Sequence, residues 1–452
     1  MLITPLRSII AWVAACVTIC ATAGATSGVA DYGIAARVAP KPYLNMPERP
    51  DGKMPALLSQ TGAFADTRRL TPSPGLIPYD IVVAFWSDGA QKQRWVSIPA
   101  GKIRYSPTGD WVFPKGTVFV KTFELPTDAS DPGVRRRLET RLLVCDSAGG
   151  VYGVLYKWRA DLSDADLLAD GRLEPIRMRS ADGKLHEQTW YYPSRKDCMT
   201  CHNSNTSGVL GVKARQMNRS YAYPSGATDN EMRAWNHLGL FSPEVRDADL
   251  ASLPTLAAAD DKARSLEDRA RSYLDANCSH CHRPHGTVAY FDARYDTPLD
   301  KQEIVDGAVL IDEGIDKPRV ISPHDIWRSI MYMRVSTNDE IRMPPIARET
   351  VDTRGVALLR EWIESMPGRD VVDPPAISPA GGSFAAPVEV TLSERVPGAD
   401  IHYTLDGSVP GKSDPRYQGP IKLDGTVVLR ARAYKEGSTR SITTQQVFTI
   451  GK

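Results

Sequence analysis

Two five-residue stretches carry the chemistry legible in this chain: Cys198-Met199-Thr200-Cys201-His202 and Cys278-Ser279-His280-Cys281-His282. A Cys-x-x-Cys pair followed at once by histidine is the pattern of c-type haem attachment. The thiols form thioethers with the haem vinyl groups, and the next imidazole sits under the iron as proximal ligand. Zinc or disulfides are the other uses of paired cysteines. Zinc ribbons space their pairs roughly 15–20 residues apart. Cys201 and Cys278 stand 77 positions apart, which does not suit one compact zinc site. The expectation is two covalently bound haem c groups, one on Cys198, Cys201 and His202, the other on Cys278, Cys281 and His282.

Each iron also needs a partner opposite its histidine. Met343, in Arg342-Met343-Pro344-Pro345, lies 61 residues beyond His282, enough chain to wrap a haem. It is expected to supply its thioether to the second iron. Met/His ligation raises the reduction potential, so this haem reads as a low-spin electron-transfer centre. The first iron leaves its choice open between Met217, His237, His186 and no protein ligand at all. Trp190-Tyr191-Tyr192-Pro193 could line that haem's edge. His280, between two cysteines, should face away from its own iron. His285 and His324 read as surface or loop residues, His402 as structural, and Cys145 as a small buried hydrophobe.

Elements must hold these residues. At ~150 residues per domain, 452 residues imply two to four domains. Lys and Arg number 55 against 54 Asp and Glu, a net charge of +1 that argues against nucleic-acid binding. With 34 Gly and 34 Pro, many turns and much β structure are expected. Seven cysteines are odd in number and too few for a disulfide scaffold of this length. Ser8 to Ala30 carry no charge and follow Arg7, as in a secretory signal with small residues for cleavage at Ala23-Gly24-Ala25 or Gly28-Val29-Ala30. A membrane anchor or lipidation at Cys16 are the alternatives, and all three place the mature protein in the periplasm or otherwise outside the cytoplasm.

Residues 1–30 are thus read as signal or anchor, and 31–195 as a β-rich domain that opens with an irregular lead-in. Val118 to Phe123 is one of its strands, and Leu138 to Cys145 with Val151 to Trp158 reads as a hairpin. Residues 196–261 form the first haem segment, and 262–366 a helical one. Leu266, Ala270, Tyr273 and Leu274 share one helix face, as do Leu358, Leu359, Trp362, Ile363 and Met366. Residues 367–375 read as a linker and 376–452 as a β-sandwich. The fold class expected is multidomain α+β: an antiparallel β domain, a mainly α-helical cytochrome c region with two haems, and an immunoglobulin-like β-sandwich.

The order from Cys278 through Met343 to the helix near Trp362 resembles the class I cytochrome c fold across about 262–366. More broadly, residues ~57–366 resemble exported dihaem c-type cytochromes that occur beside, or fused to, pyrroloquinoline quinone (PQQ)-dependent sugar dehydrogenases. The stretches that carry this are Phe113 to Phe123, Leu138 to Val144, Lys213 to Arg219, Arg269 to Cys278 and Gly355 to Ile363. Residues ~375–450 resemble the C-terminal β-sandwich of chitobiases and β-hexosaminidases, through Ile377 to Phe384, Ile401 to Ser408, Tyr417 to Ile421 and Leu429 to Ala433. The first resemblance implies electron transfer from a periplasmic dehydrogenase, such as a PQQ-dependent one, to a soluble cytochrome or oxidase. The second implies non-catalytic docking onto a glycan or protein. A dihaem oxidoreductase such as a peroxidase, working at the first haem, is the competing expectation. A mainly carbohydrate-binding protein comes third.

Overall fold

The computed structural model describes residues 32–34, 40–287 and 290–451. The expected signal segment, with Cys16 and Cys20, lies outside the described residues. Short runs rich in β-branched and aromatic residues build a six-stranded meander: β1 (Leu76–Pro78), β2 (Gln91–Ser97), β3 (Val118–Pro126), β4 (Arg135–Cys145), β5 (Val151–Trp158) and β6 (Ala165–Leu168). Each strand pairs antiparallel with the next. Side chains alternate between the faces of such a sheet. Trp95, Val120, Leu142 and Val154 occupy one face, where Leu44, Met46, Leu58 and Phe64 cover them. The Pro- and Gly-rich lead-in is therefore half of a core.

The opposite face is divided. Val96 and Phe119 pack with Met217, Trp235 and Phe241. Phe123 packs with Trp190 and Tyr192, which a second hairpin, β7 (Arg172–Arg179) and β8 (Leu185–Tyr192), supplies. Between the two clusters stand Arg94, Lys121 and Arg141, paired across β2, β3 and β4.

Among the described residues six α-helices follow: α1 (Arg195–Cys201), α2 (Ala214–Met217), α3 (Glu231–His237), α4 (Leu266–Asn277), α5 (Ile330–Ser336) and α6 (Thr353–Ser365). The longest spans thirteen residues. This overturns the expected mainly α-helical cytochrome region, and the chain is predominantly β-sheet and loop. Between Cys278 and Ser329 the described residues form only two 3₁₀ turns, at Leu299–Lys301 and Ile326–Arg328. Pro284, Pro298, Pro318 and Pro323 remove helical donors there, and Gly286, Gly307 and Gly314 add backbone entropy to any helix. Helices α4 and α6 pack together through Ala270, Leu274, Leu358, Leu359 and Trp362. The contact is close because Gly355 meets Tyr273: a Cβ there would stand 2.3 Å from the ring.

The C-terminal residues form two sheets. Ala376–Ser378, Val388–Ser393 and Ile421–Leu423 make one, and Gly382–Phe384, Asp400–Thr404, Val427–Tyr434 and Thr444–Ile450 the other. They enclose Val390, Leu392, Ile401, Leu429, Ala431 and Phe448. The preceding segment is pinned: Val372 N–H donates to Thr439 O at 2.9 Å, and Trp327 Nε1 to Asp373 Oδ1 at 3.1 Å. Asp316 is shared by Arg328 of the preceding region and by Arg432 and Arg440 of the sandwich, at 3.2, 3.6 and 3.0 Å.

A buried carboxylate joins the two Cys-x-x-Cys-His segments. Asp275, on α4, meets Lys213 at 2.6 Å and Arg215 at 3.4 Å just before and within α2. It also accepts the Tyr295 N–H at 3.0 Å. Burial opposes its charge, yet Lys213 and Arg215 outweigh that and hold the carboxyl below its usual range. Breaking a buried pair from one side strands the other charge, at a cost of about 3–5 kcal/mol. Asp275→Asn is therefore expected to lower stability by about 3–5 kcal/mol in denaturant unfolding at pH 7. Because the folded pKa is depressed, this contribution is intact above the ordinary carboxylate value near ~3.9 and disappears as pH falls through the lowered one. The gap between variant and parent should close in acid.

Candidate functional site

The first motif is set by a local capping device. Ser194 Oγ accepts the Asp197 N–H at 3.2 Å, and Asp197 Oδ2 accepts the Ser194 N–H at 2.8 Å. This capping box starts α1, and Tyr191 OH braces it by donating to Asp197 at 2.5 Å. Cys198 and Cys201 then fall on one helical turn. The helix lies on β5 at Gly153, where a Cβ would be 2.8 Å from Cys198 Cβ and 2.9 Å from Sγ. His202 caps the helix and its Nδ1–H donates to Gly208 O at 2.8 Å. That bond fixes the tautomer and leaves Nε2 free as a ligand. Burial pushes His202 down to about 4, so the ring is neutral at physiological pH.

The second motif begins where α4 ends. Cys278 N–H donates to Leu274 O at 2.8 Å, and His282 N–H to Cys278 O at 2.9 Å. The His282 ring stacks on Phe291, with centroids 4.1 Å apart and 11° between planes. Burial takes it down to about 4 as well.

Each motif opens on its own cavity. The second, of about 380 Å³, has mostly apolar walls and is lined by Cys278, Cys281, His282 and Met343. Met343 thus shares a cavity with the histidine it was paired with from sequence. Its loop is held by Arg348, a buried guanidinium that donates to Met343 O and to Thr337 O at 2.6 Å. Asp88, from the β domain, accepts the backbone N–H groups of Glu349 and Thr350 at 2.9 and 2.8 Å.

The first cavity, of about 220 Å³, is lined by Cys198, Cys201 and His202 and by four cationic side chains of the sheet: Lys92, Arg94, Lys121 and Arg141. It is smaller than the ~300–1,000 Å³ typical of small-molecule pockets. Those long side chains occupy part of the space and would have to yield to a large planar group. Of the aromatic run before the motif, Tyr191 and Pro193 reach the cavity, while Trp190 is buried with Phe123 and Tyr192.

Neither Met217 nor His237 lines this cavity. Met217 is fully buried in the apolar cluster around Trp235. His237 ends α3 with Nδ1 2.9 Å from Tyr32 OH. His186 lies 3.1 Å from Ser180 Oγ on the second hairpin. His285 is exposed, and His324 and His402 bond to the backbone oxygens of Met366 and Asp414. Cys145 is buried against the β-sheet core, and burial raises its thiol to about 12.

The two cavities adjoin. Thr200, His280, Cys281, Pro344 and Pro345 line both. The sulfurs of Cys201 and Cys281 and a ring nitrogen of His280 all lie within 4.8 Å of one another. His280 packs edge-on against Phe85 at 5.4 Å. In the free-thiol chain, a hydrogen bond from Cys201 and the nearby His280 favour Cys281 as thiolate. This cluster takes one cysteine from each motif, a combination that no local spacing encodes.

Sequence reasoning missed the sheet wall and the loop anchors. Lys121 and Arg141 interrupt otherwise apolar strands, and a cation on the face that also carries Phe119 and Phe123 was the available signal. Asp88 and Arg348 left none.

Residues 379–445 match the family model of the chitobiase/beta-hexosaminidase C-terminal domain. The match covers the sandwich and does not reach residues 57–366. No curated protein matches the chain.

The Gly153 contact leaves no room for a side chain. Overpacking of this kind costs about 1–3 kcal/mol. Gly153→Ala is expected to lower stability by that amount and to push α1 off the sheet. Faster thiol labelling of Cys198 than of Cys278 in the haem-free chain would report the shift, and equal rates would contradict it.

Proposed function

We propose that this protein is an exported dihaem c-type cytochrome that carries electrons from a dehydrogenase outside the cytoplasm, such as a PQQ-dependent one, to a soluble cytochrome or an oxidase. The observation that carries the reading is the meeting of the two motifs. Cys201 and Cys281, each of which would hold one thioether of its own haem, lie with their sulfurs within 4.8 Å. Two redox groups attached there form one relay.

The donor sets fit. Each cavity offers two cysteine sulfurs and a neutral imidazole, and the second adds the Met343 thioether. Haem bound in these sites supplies reversible one-electron chemistry at its iron. The chain's own contribution is to hold the ligands and exclude water. Gly208 O orients His202, Phe291 flattens against His282, and Arg348 with Asp88 holds the Met343 loop. Met343 and His282 would give the second centre the higher potential expected of Met/His ligation. In the loaded protein, Cys201 and Cys281 are thioethers, so their cluster with His280 is not a thiolate metal site.

Electrons leave best where a partner can approach. Tyr290, Leu310 and Ile311 line the second cavity yet are 70%, 54% and 60% exposed. An exposed apolar patch of this kind marks an interaction surface. With a net charge of only +1, docking depends on such local patches and not on a whole-protein field. The C-terminal sandwich serves as a docking module for a glycan or protein, fixed to the redox region by Asp316. The uncharged N-terminal run supports export to the periplasm or retention at the membrane surface.

One observation favours a second reading. Because neither Met217 nor His237 lines the first cavity, a first haem with an open position would suit a dihaem oxidoreductase such as a peroxidase. Rapid turnover of hydrogen peroxide would support it.

Haem counting tests the attachment. Cys201→Ala should retain only the second haem and Cys281→Ala only the first; two haems per chain in either variant would contradict the assignment. Met343→Ala should keep both haems but leave the second five-coordinate with a shifted potential. For the partner surface, Ile311→Glu is expected to slow electron delivery to an acceptor cytochrome in stopped-flow measurements without moving either potential.

A further inference from the structure

Two arginines line the cavity of the second motif, Arg334 and Arg348. Arg334 is answered by Glu313 at 2.6 Å. Arg348 is 2% exposed and pairs with no carboxylate among the described residues. Its hydrogen bonds go to neutral oxygens instead. Nε donates to Thr350 O at 3.2 Å and Nη1 to Met343 O. Nη2 donates to Thr337 O at 2.6 Å and to Asn338 Oδ1 at 3.3 Å. Asp88 and Asp352 attract the guanidinium from a distance, but both are engaged elsewhere. Asp88 Oδ1 accepts the Glu349 and Thr350 N–H groups. Asp352 Oδ1 caps α6 by accepting the Gly355 N–H at 3.1 Å.

A buried charge without a counter-charge is costly, and arginine does not escape the cost by losing its proton. The position of this charge gives it a use. Met343 is gripped on both sides of its backbone: its N–H donates to Arg334 O at 3.0 Å, and its carbonyl accepts from Arg348. The guanidinium therefore touches the residue whose sulfur would bind the second iron, one side chain away from that sulfur. Charges in a dry, mostly apolar cavity act on one another more strongly than in water. Oxidation adds one positive charge at the iron, and a fixed cation beside it opposes that addition.

We infer that Arg348 sets the reduction potential of the second centre: its uncompensated charge disfavours the oxidised iron and holds that potential above the value that His282 and Met343 alone would give. This inference rests on the dihaem reading above. Arg348 acts through the field at the iron and through Met343, as a positioning residue whose charge has a second effect. It gives the relay a direction. Electrons that arrive at either motif collect at the second centre, beside the exposed Tyr290, Leu310 and Ile311.

The test uses the full-length protein with its haems, counted by intact mass. A spectroelectrochemical titration follows each haem and the methionine–iron charge-transfer band. Arg348→Gln should keep both haems and lower the potential of the second by at least tenfold in its oxidised-to-reduced ratio, about 59 mV for one electron. Arg348→Lys keeps the charge and should stay close to the parent. Asn338→Asp is the deciding variant. It leaves the guanidinium and its grip on Met343 in place and supplies the missing carboxylate at an existing contact. The second potential should then fall with the methionine band intact and the first haem unmoved. Two haems with an unchanged second potential in both Arg348→Gln and Asn338→Asp would overturn this inference alone. So would loss of the methionine band in Arg348→Lys and Arg348→Gln alike with Asn338→Asp unmoved, which would leave Arg348 a clamp of the loop and no more. Wild-type protein with no haem would overturn the dihaem reading itself, and this inference with it.

Discussion

Asp275 sits at the junction on which the two motifs depend. An ionised carboxylate is taken out of water only when partners replace its hydration. Here the partners come from far along the chain: Lys213 and Arg215 follow the first motif, while Asp275 sits three residues before the second. The requirement to neutralise one buried charge therefore ties two segments that would otherwise be independent. Gln216 extends the tie to the β domain by donating to Val83 O at 2.8 Å and accepting the Val83 N–H at 2.9 Å. From that segment Trp86 donates its N–H to Asn277 Oδ1 at 2.8 Å and its Nε1–H to Thr350 O at 3.0 Å. Asp88 then holds the far side of the Met343 loop.

This arrangement assigns the N-terminal β domain a task. Its sheet is a wall of the first cavity, and the loop between β1 and β2 is wedged between the cavities. The near-neutral charge of the whole chain hides a strongly cationic interior at that wall. Local pairing with Asp80 and Glu139 offsets the two arginines of that wall. The sandwich behaves similarly at its own border. Asp316 collects Arg328, Arg432 and Arg440, so the C-terminal sandwich is fastened to the region before it by shared charge, across the segment 367–375 that reads from sequence as a linker.

The sequence by itself determined where the two motifs stand, because Cys-x-x-Cys-His is a local pattern that needs no tertiary contact to be read. It also determined the hairpin of β4 and β5, helices α4 and α6, and the sandwich at 379–445, each encoded by periodicity or by family match. Met343 stands out in the sequence by its setting before Pro344-Pro345, and the fold brings it to the cavity of His282. What only the tertiary structure decided is proximity. Helical content between Cys278 and Ser329 was overestimated because the motif suggested a compact helical fold, while prolines and glycines there dictate loops held by tertiary contacts. Met217 and His237 lie near the first motif along the chain, but Met217 is drawn into the Trp235 core and His237 to Tyr32. The 4.8 Å meeting of Cys201, His280 and Cys281, and the row of Arg94, Lys121 and Arg141, arise from strand register and a buried ion pair. Both are long-range pairings, and no local spacing in the sequence records which distant residues will share a charge or a wall.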